Sequence, residues 1–320
     1  MQYLILAFDV PGSYIDCHMM KERFLQYLEH EKRFSKHTLT AYKSDLEQFL
    51  KFLDTTFEIK TPSEATHLQV RSWTVELLSQ GRSTSSINRK LSTLKTFYRF
   101  LQKRDGLEHN PMLKVIVPKM GKKLPTIVRA DELERLFDKQ KFPKDFEGKR
   151  DQLLLELLYA TGMRRAEALN VKLSDIDFQS RLLKVMGKGQ KERLIPFGKG
   201  LSKLLEAYIE VREQTFGVLE TTILLLTRQG KPLYPKAAYN IVKKYLSTVS
   251  TVEKRSPHVL RHSFATHLSD NGADLNAIKA LLGHANLAAT QIYTHNSIEK
   301  LKKVYESAHP KARLDDDRPS

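Results

Sequence analysis

The sequence predicts a mainly α chain with one small antiparallel β-sheet, split into a helical first domain and an α+β second domain. Three observations predict this. Apolar residues recur at helical spacing through residues 20–105, a proline- and lysine-rich stretch near residue 120 interrupts the pattern, and residues 175–197 switch to strand character before helical spacing returns. At 320 residues the chain is long enough to bury two separate cores.

In the first domain, Met20–Arg33 places Phe24, Leu25 and Leu28 on one stripe, and Thr38–Leu53 continues with Leu39, Tyr42, Leu46, Phe49, Leu50 and Leu53. Thr66 can cap a third helix carrying Val70, Trp73, Leu77 and Leu78, closed by Gly81. Ser83 opens a fourth with Ile87, Leu91, Leu94, Phe97, Tyr98 and Leu101, stopped near Gly106. Four amphipathic helices with short connections describe a small bundle. Pro118–Pro125, with two prolines, a glycine and three lysines, reads as an extended linker, and the domain boundary falls near residue 120.

In the second domain, Asp131 can start a helix through Phe137, and Arg150–Ala160 is a strongly apolar helix ending at Thr161-Gly162. Asp175–Phe178, Arg181–Met186 and Glu192–Phe197 read as strands, the last two joined by the turn Gly187-Lys188-Gly189-Gln190. Helical spacing resumes at Leu201, and Leu314–Ser320 is a polar tail. The apolar and basic stretch Ile298–Tyr305 can either dock into a neighbouring protomer or pack within its own.

The composition excludes several classes. No apolar run approaches the ~18 residues of a membrane span, and the opening MQYLILAFDV lacks the basic flank and cleavage site of a signal peptide. The single cysteine, Cys17, cannot form an internal disulfide, which fits a reducing cytoplasm. The formal net charge of +16 points to a polyanionic partner. Residues 1–126 carry 20 basic against 13 acidic side chains and residues 127–320 carry 33 against 24, so both halves are basic. Arg82, Arg89, Lys90, Lys95, Arg99, Lys103 and Arg104 crowd the fourth helix beside Ser83–Ser86, and cations next to small hydroxyls suit phosphate contacts. Lys122 and Lys123 of the linker join them as candidate contacts to a polyanion's phosphates.

Four local constellations could carry chemistry. In Thr161-Gly162-Met163-Arg164-Arg165-Ala166-Glu167 an apolar helix stops and a new one begins with arginine. Lys188 stands between two glycines at a hairpin tip. In Ser256-Pro257-His258-Val259-Leu260-Arg261-His262, Ser256 is placed to cap a helix on which His258 and Arg261 share a face. Leu282-Gly283-His284 is followed by Tyr293 in Thr290-Gln291-Ile292-Tyr293-Thr294-His295. Each has a plain alternative: Arg164 could merely pair with Glu167, Lys188 could be an exposed turn residue, His258 could be structural, and Tyr293 could be a core aromatic. His258 and His262 lack the intervening glutamate of a zinc-hydrolase motif, and no phosphate-cradling glycine loop followed by lysine and a hydroxyl is present, so no metal or cofactor is expected.

Taken together and in order, Arg164, Lys188, His258, Arg261, His284 and Tyr293 resemble the active-site signature of the tyrosine recombinase (integrase) family. The stretches T-G-M-R-R-A-E, G-K-G-Q-K-E-R, S-P-H-V-L-R-H-S-F-A-T-H-L and L-L-G-H-A-N-L-A-A-T-Q-I-Y-T-H look most like its Xer subgroup. The resemblance covers about residues 20–310. It implies an extension at 1–18, a helical core-DNA-binding (SAM-like) domain at 19–115, a linker at 116–126, a catalytic domain at 127–309 and a polar tail at 310–320. Residues 1–18 depart from the usual start of the subgroup, as a misassigned start codon upstream of Met19 or Met20 would explain. Arg165 stands where the family often has an apolar residue.

The resemblance implies site-specific cutting and rejoining of duplex DNA through a 3′-phosphotyrosyl intermediate, resolving chromosome dimers at cell division. An integrase of a phage, integron or conjugative transposon stays open, as do a type IB topoisomerase-like enzyme and a non-catalytic DNA-binding protein. A tyrosine hydroxyl has a pKa near 10, so about one in a thousand is ionised at pH 7, and attack on a phosphodiester loads charge onto its nonbridging oxygens. Arg164 and Arg261 are assigned to clamp those oxygens bidentately. By resemblance His258 assists proton transfer, His284 hydrogen-bonds the transition state, Lys188 protonates the leaving 5′-oxygen, and Glu167 supports Arg164. The implied partners are a duplex core site, a homo- or hetero-tetramer on two duplexes, a paralogous Xer partner and an FtsK-like DNA translocase. The implied location is the cytoplasm, at the nucleoid.

Overall fold

A computed structural model of the chain describes residues 12–119, 121, 126–139, 142–187, 191–253, 255–283 and 295–313. It forms two compact units, Met1–Lys123 and Leu124–Ser320, each around its own apolar core.

The first unit is the expected helical bundle. Helix α1 (Gly12–Gln26) starts inside the expected extension and continues as one π-helical turn, Tyr27–Glu31. Helix α2 spans Lys36–Phe57, α3 His67–Ser79 and α4 Thr84–Arg104. The caps follow the sequence: the Thr66 hydroxyl accepts from the Leu68 amide while its own amide donates to Gln69, and the Ser83 hydroxyl accepts from the Ser86 amide. Phe24, Leu46, Phe49, Trp73, Ile87, Leu94 and Phe97 are buried, and Phe24 meets Phe97 edge-on with ring centres 5.2 Å apart.

In the second unit α5 (Ala130–Glu134) runs into a π-helical turn, Arg135–Lys139. Helix α6 (Phe146–Thr161) starts four residues before its apolar run, because the Asp145 carboxylate accepts from the Gly148 amide at 2.8 Å. Buried almost all round, α6 is the axis of this unit. After α7 (Arg165–Leu169) come β1 (Ile176–Asp177), β2 (Leu182–Met186) and β3 (Glu192–Pro196), a meander in the order β1-β2-β3 with antiparallel pairing throughout. Helices α8 (Lys199–Phe216), α9 (Pro235–Val249), α10 (Pro257–Asp270), α11 (Leu275–Leu282), α12 (His295–Ala308) and α13 (Pro310–Arg313) complete it.

At the C-terminal side one open alternative narrows and one expectation changes. Leu301, Tyr305 and Ala308 of α12 are buried in the unit's own core, so the helix packs at home against α10, α11 and β3. Residues 310–313, expected to open the polar tail, form α13 instead, where Lys311 pairs with Glu156 at 3.0 Å and Asp138 at 3.6 Å and lies over the Phe137 ring. Lys188, His284, Tyr293, Lys122 and Lys123 lie outside the described residues.

Candidate active site

Helix α6 must stop abruptly for α7 to begin. Gly162 provides the stop: its φ is +60°, and a Cβ there would sit 2.3 Å from the Phe264 ring of α10. The chain then turns into α7 with Arg164 at the capping position. There the Arg164 amide donates to Glu167 Oε2 at 2.7 Å, and its guanidinium donates to Glu167 Oε1 at 2.8 Å. The Arg164 side chain stays 38% exposed, so part of the fork faces outward while its base is fixed.

Arg261 enters from α10, one turn after the Pro257 start. The Ser256 hydroxyl makes no cap bond, contrary to expectation, and Pro257 at the first position does the work of starting the helix. Arg261 is buried and donates to two backbone carbonyls, Gly162 at 2.7 Å and Leu282 at 2.7 Å, with Glu167 Oε2 4.0 Å away. Those carbonyls end α6 and α11, so the arginine satisfies two helix C-termini at once. Burial and the like charge of Arg164 lower the Arg261 pKa to about 10, which still leaves it cationic at neutral pH.

Glu167 is the shared anion. Burial alone would raise its pKa, but bonds from Arg193 and Arg164 outweigh that and hold it below the ordinary carboxylate range. Glu167 and Arg164 form a direct ion pair. Arg193 was not singled out by motif. It lies on β3 with a side chain 4% exposed and completes the set, donating to Glu167 Oε2 at 2.8 Å, Glu167 Oε1 at 3.1 Å and the Leu281 carbonyl at 2.9 Å. The signal was strand alternation: Ile195 is an inward position, so Arg193 two residues before it is inward as well.

His258 sits exposed one turn before Arg261. Its pKa is lowered by desolvation and then by Arg165, His262, Arg261 and Arg164, which favours the neutral ring. A neutral imidazole beside two guanidiniums can accept a proton while the cations hold an anion. Among the described residues no group of three or more His, Cys, Asp or Glu side chains is arranged to hold a metal ion.

In the first unit, Arg82, Arg89 and Lys95 are exposed, with Arg89 also paired to Asp45. Lys90 is different. It is 5% exposed, its ammonium lies 3.0 Å from Asp45 and 2.7 Å from Gln48, and it stands over the Trp73 ring. A cation so placed is part of the core and is not offered to phosphate. Ser83 and Ser86 are likewise engaged with one another in the helix cap.

Comparison with known proteins places this geometry in a family. Residues 126–300 match the phage integrase family model, and residues 22–105 match the N-terminal SAM-like domain of phage integrases. Tyrosine recombinase XerC of Chlorobaculum tepidum is 37% identical, across 93% of this chain and 96% of that protein. Tyrosine recombinase XerC of Anoxybacillus flavithermus is 38% identical, across 90% and 97% respectively. The crystal structure of XerH site-specific recombinase, a post-cleavage complex with palindromic difH substrate, shares the fold at a TM-score of 0.69 and 22% identity, covering 93% of this chain and 89% of that one. The chain thus belongs to the phage integrase family and is a site-specific tyrosine recombinase, a DNA strand-transferring enzyme.

Proposed function

We propose that the chain resolves chromosome dimers by cutting and rejoining duplex DNA at a near-palindromic core site, with Tyr293 as nucleophile. The Tyr293 oxygen bonds to the scissile phosphorus, its proton passes to His258, the phosphorus–O5′ bond breaks, and the leaving 5′-oxygen takes a proton from Lys188. Arg164 and Arg261 hold the nonbridging oxygens as charge accumulates on them, and His284 adds a hydrogen bond. One phosphoester replaces another, so the bond energy is kept in the 3′-phosphotyrosyl link. Attack on that link by a partner strand's 5′-hydroxyl completes exchange. Rejoining two duplexes this way needs four protomers, homo- or heterotypic, and the sequence resemblance suggests a paralogous partner and an FtsK-like translocase. The enzyme would work in the cytoplasm on the nucleoid; no helix among the described residues is long and apolar enough to cross a membrane.

The observation that supports this reading furthest is the convergence of Arg164 and Arg261 on Glu167 from helices far apart in sequence. Beside them stands His258, whose pKa is lowered by desolvation and by the neighbouring cations. Exposed Arg82, Arg89 and Lys95 supply phosphate contacts from the first unit; Lys122 and Lys123 are proposed to add to them.

The test is a nicked duplex carrying the dimer-resolution site of the chromosome that encodes this chain. The expected product is an SDS-resistant protein–DNA adduct, formed equally well in a chelator. Tyr293→Phe should form none, and an adduct from that variant would refute the nucleophile assignment. Lys188→Ala should lose least on a substrate whose leaving group is a 5′-thiolate, which needs little protonation; equal losses on both substrates would remove the general-acid role.

A further inference from the structure

Arg193 is buried and charged, with a side chain 4% exposed. A buried ion pair is costly, and apolar residues of similar volume in place of both partners commonly leave stability unchanged. What the guanidinium provides here is direction. One edge presents Nη1 and Nη2 to both oxygens of Glu167, at 3.1 and 2.8 Å, while Nε turns to the Leu281 carbonyl at 2.9 Å. That carbonyl belongs to the last turn of α11, which ends in the left-handed Gly283. The fit leaves no slack: a Cβ on Gly283 would lie 3.0 Å from the Arg193 Nη1 and 3.1 Å from its Cδ.

Three elements therefore meet on one side chain. Strand β3 supplies Arg193, α7 presents Glu167 and through it Arg164, and α11 presents its C-terminal carbonyls to Arg193 and Arg261 together. Arg164 also reaches the Gly283 carbonyl at 3.5 Å, the residue against which Arg193 is packed. The base of the β2–β3 hairpin rests on the same group: the Gly187 amide donates to the Lys191 carbonyl at 2.8 Å, and a Cβ on Gly187 would lie 3.7 Å from the Arg193 guanidinium. The two Arg193 bonds fix both oxygens of the carboxylate to which Arg164 is also bonded.

We infer that Arg193 is a positioning residue for strand transfer: it fixes Arg164 through Glu167 and ties that clamp to the C-terminal turn of α11. The inference rests on the proposed role of Arg164 as a phosphate clamp. The lowered pKa of Glu167, to which the bonds and charge of Arg193 contribute, agrees with a carboxylate kept ionised for this purpose.

The test is single-turnover cleavage of the same nicked duplex at saturating protein, measured beside duplex affinity. Arg193→Lys keeps a charge but lacks the fork, and should cleave about tenfold slower; Arg193→Met should be slower by about a hundredfold, the scale of a misplaced catalytic group. Affinity should stay within about twofold in both, which simple loss of structure would not allow. Adding Glu167→Gln to Arg193→Met should slow cleavage no further than the slower single variant, because both changes break one linkage. Amide exchange at Gly187 and Gly283 should rise together in Arg193→Lys without DNA. Wild-type cleavage by the folded variants, or a double variant whose loss is the product of the single losses, overturns the inference. Should Arg193→Met fail to fold, Arg193→Lys decides by the same comparison. A wild-type chain that forms no adduct overturns the underlying reading instead, whereas normal Arg193 variants beside an inert Tyr293→Phe leave that reading intact.

Discussion

At Glu167 two oxygens serve three guanidiniums, and His258 feels the surplus positive charge. Through desolvation first and these charges second, its imidazole should titrate below the ordinary value near 6.5 in the free protein, and an NMR titration of the His258 ring reads this directly. Replacing Arg165, the strongest charged contributor to the depression, with Gln should move the midpoint back up. Lys90 makes the opposite lesson. Lys90→Met leaves Asp45 buried with only Arg89 and Thr93 for partners, so the first unit should lose about 2–4 kcal/mol in denaturant unfolding. The salt dependence of DNA binding should not change. Sequence exposed Arg164, His258 and Arg261 because each sits in a recognisable local text. Lys90 misled because its partner lies 45 residues away, and Arg193 stayed hidden because its three bonds join segments 26 and 88 residues distant.

Elements were legible where a local signal sets their ends. Thr66 and Ser83 cap the helices they were expected to cap, and the three strands fall within a residue or two of their expected limits, because capping and alternation are short-range. The short α13 was missed: Lys311 is held by two carboxylates and a ring from elsewhere in the fold. Gly162→Ala tests the helix stop. The left-handed φ and the Phe264 ring both oppose a methyl group, so thermal unfolding of the second unit should shift down by roughly 5 °C or more. The end of α12 carries a pH dependence. His309 is enclosed by the Tyr159, Phe264 and Tyr305 rings, and burial, with a small push from His267 and Lys311, lowers its pKa to about 3. The unfolded chain takes up that proton first, so the contribution is complete above about pH 6.5 and is lost as pH falls toward 3. Denaturant unfolding should show the second unit weaker at pH 5 than at pH 7.5 by on the order of 1–2 kcal/mol, with His267, also depressed by burial, adding in the same direction. His309→Phe should flatten the slope.

Across the whole molecule, positive charge is spread over both units. Removing Arg82, Arg89 or Lys95 singly should weaken binding on any sequence alike and reduce the slope of log affinity against log salt by about 0.9 each. Charge and length alone indicate a polyanion and two cores, whereas the meeting of β3, α7 and α10 at one carboxylate exists only in the folded chain. That meeting has a consequence for how the enzyme is made. Arg164 leaves the ribosome well before Arg261, and Arg261 in turn before the Leu282 carbonyl on which it closes. A nascent chain that stops short of Leu282 lacks the carbonyl on which Arg261 closes, so the group around Glu167 is completed only after α11 has been made.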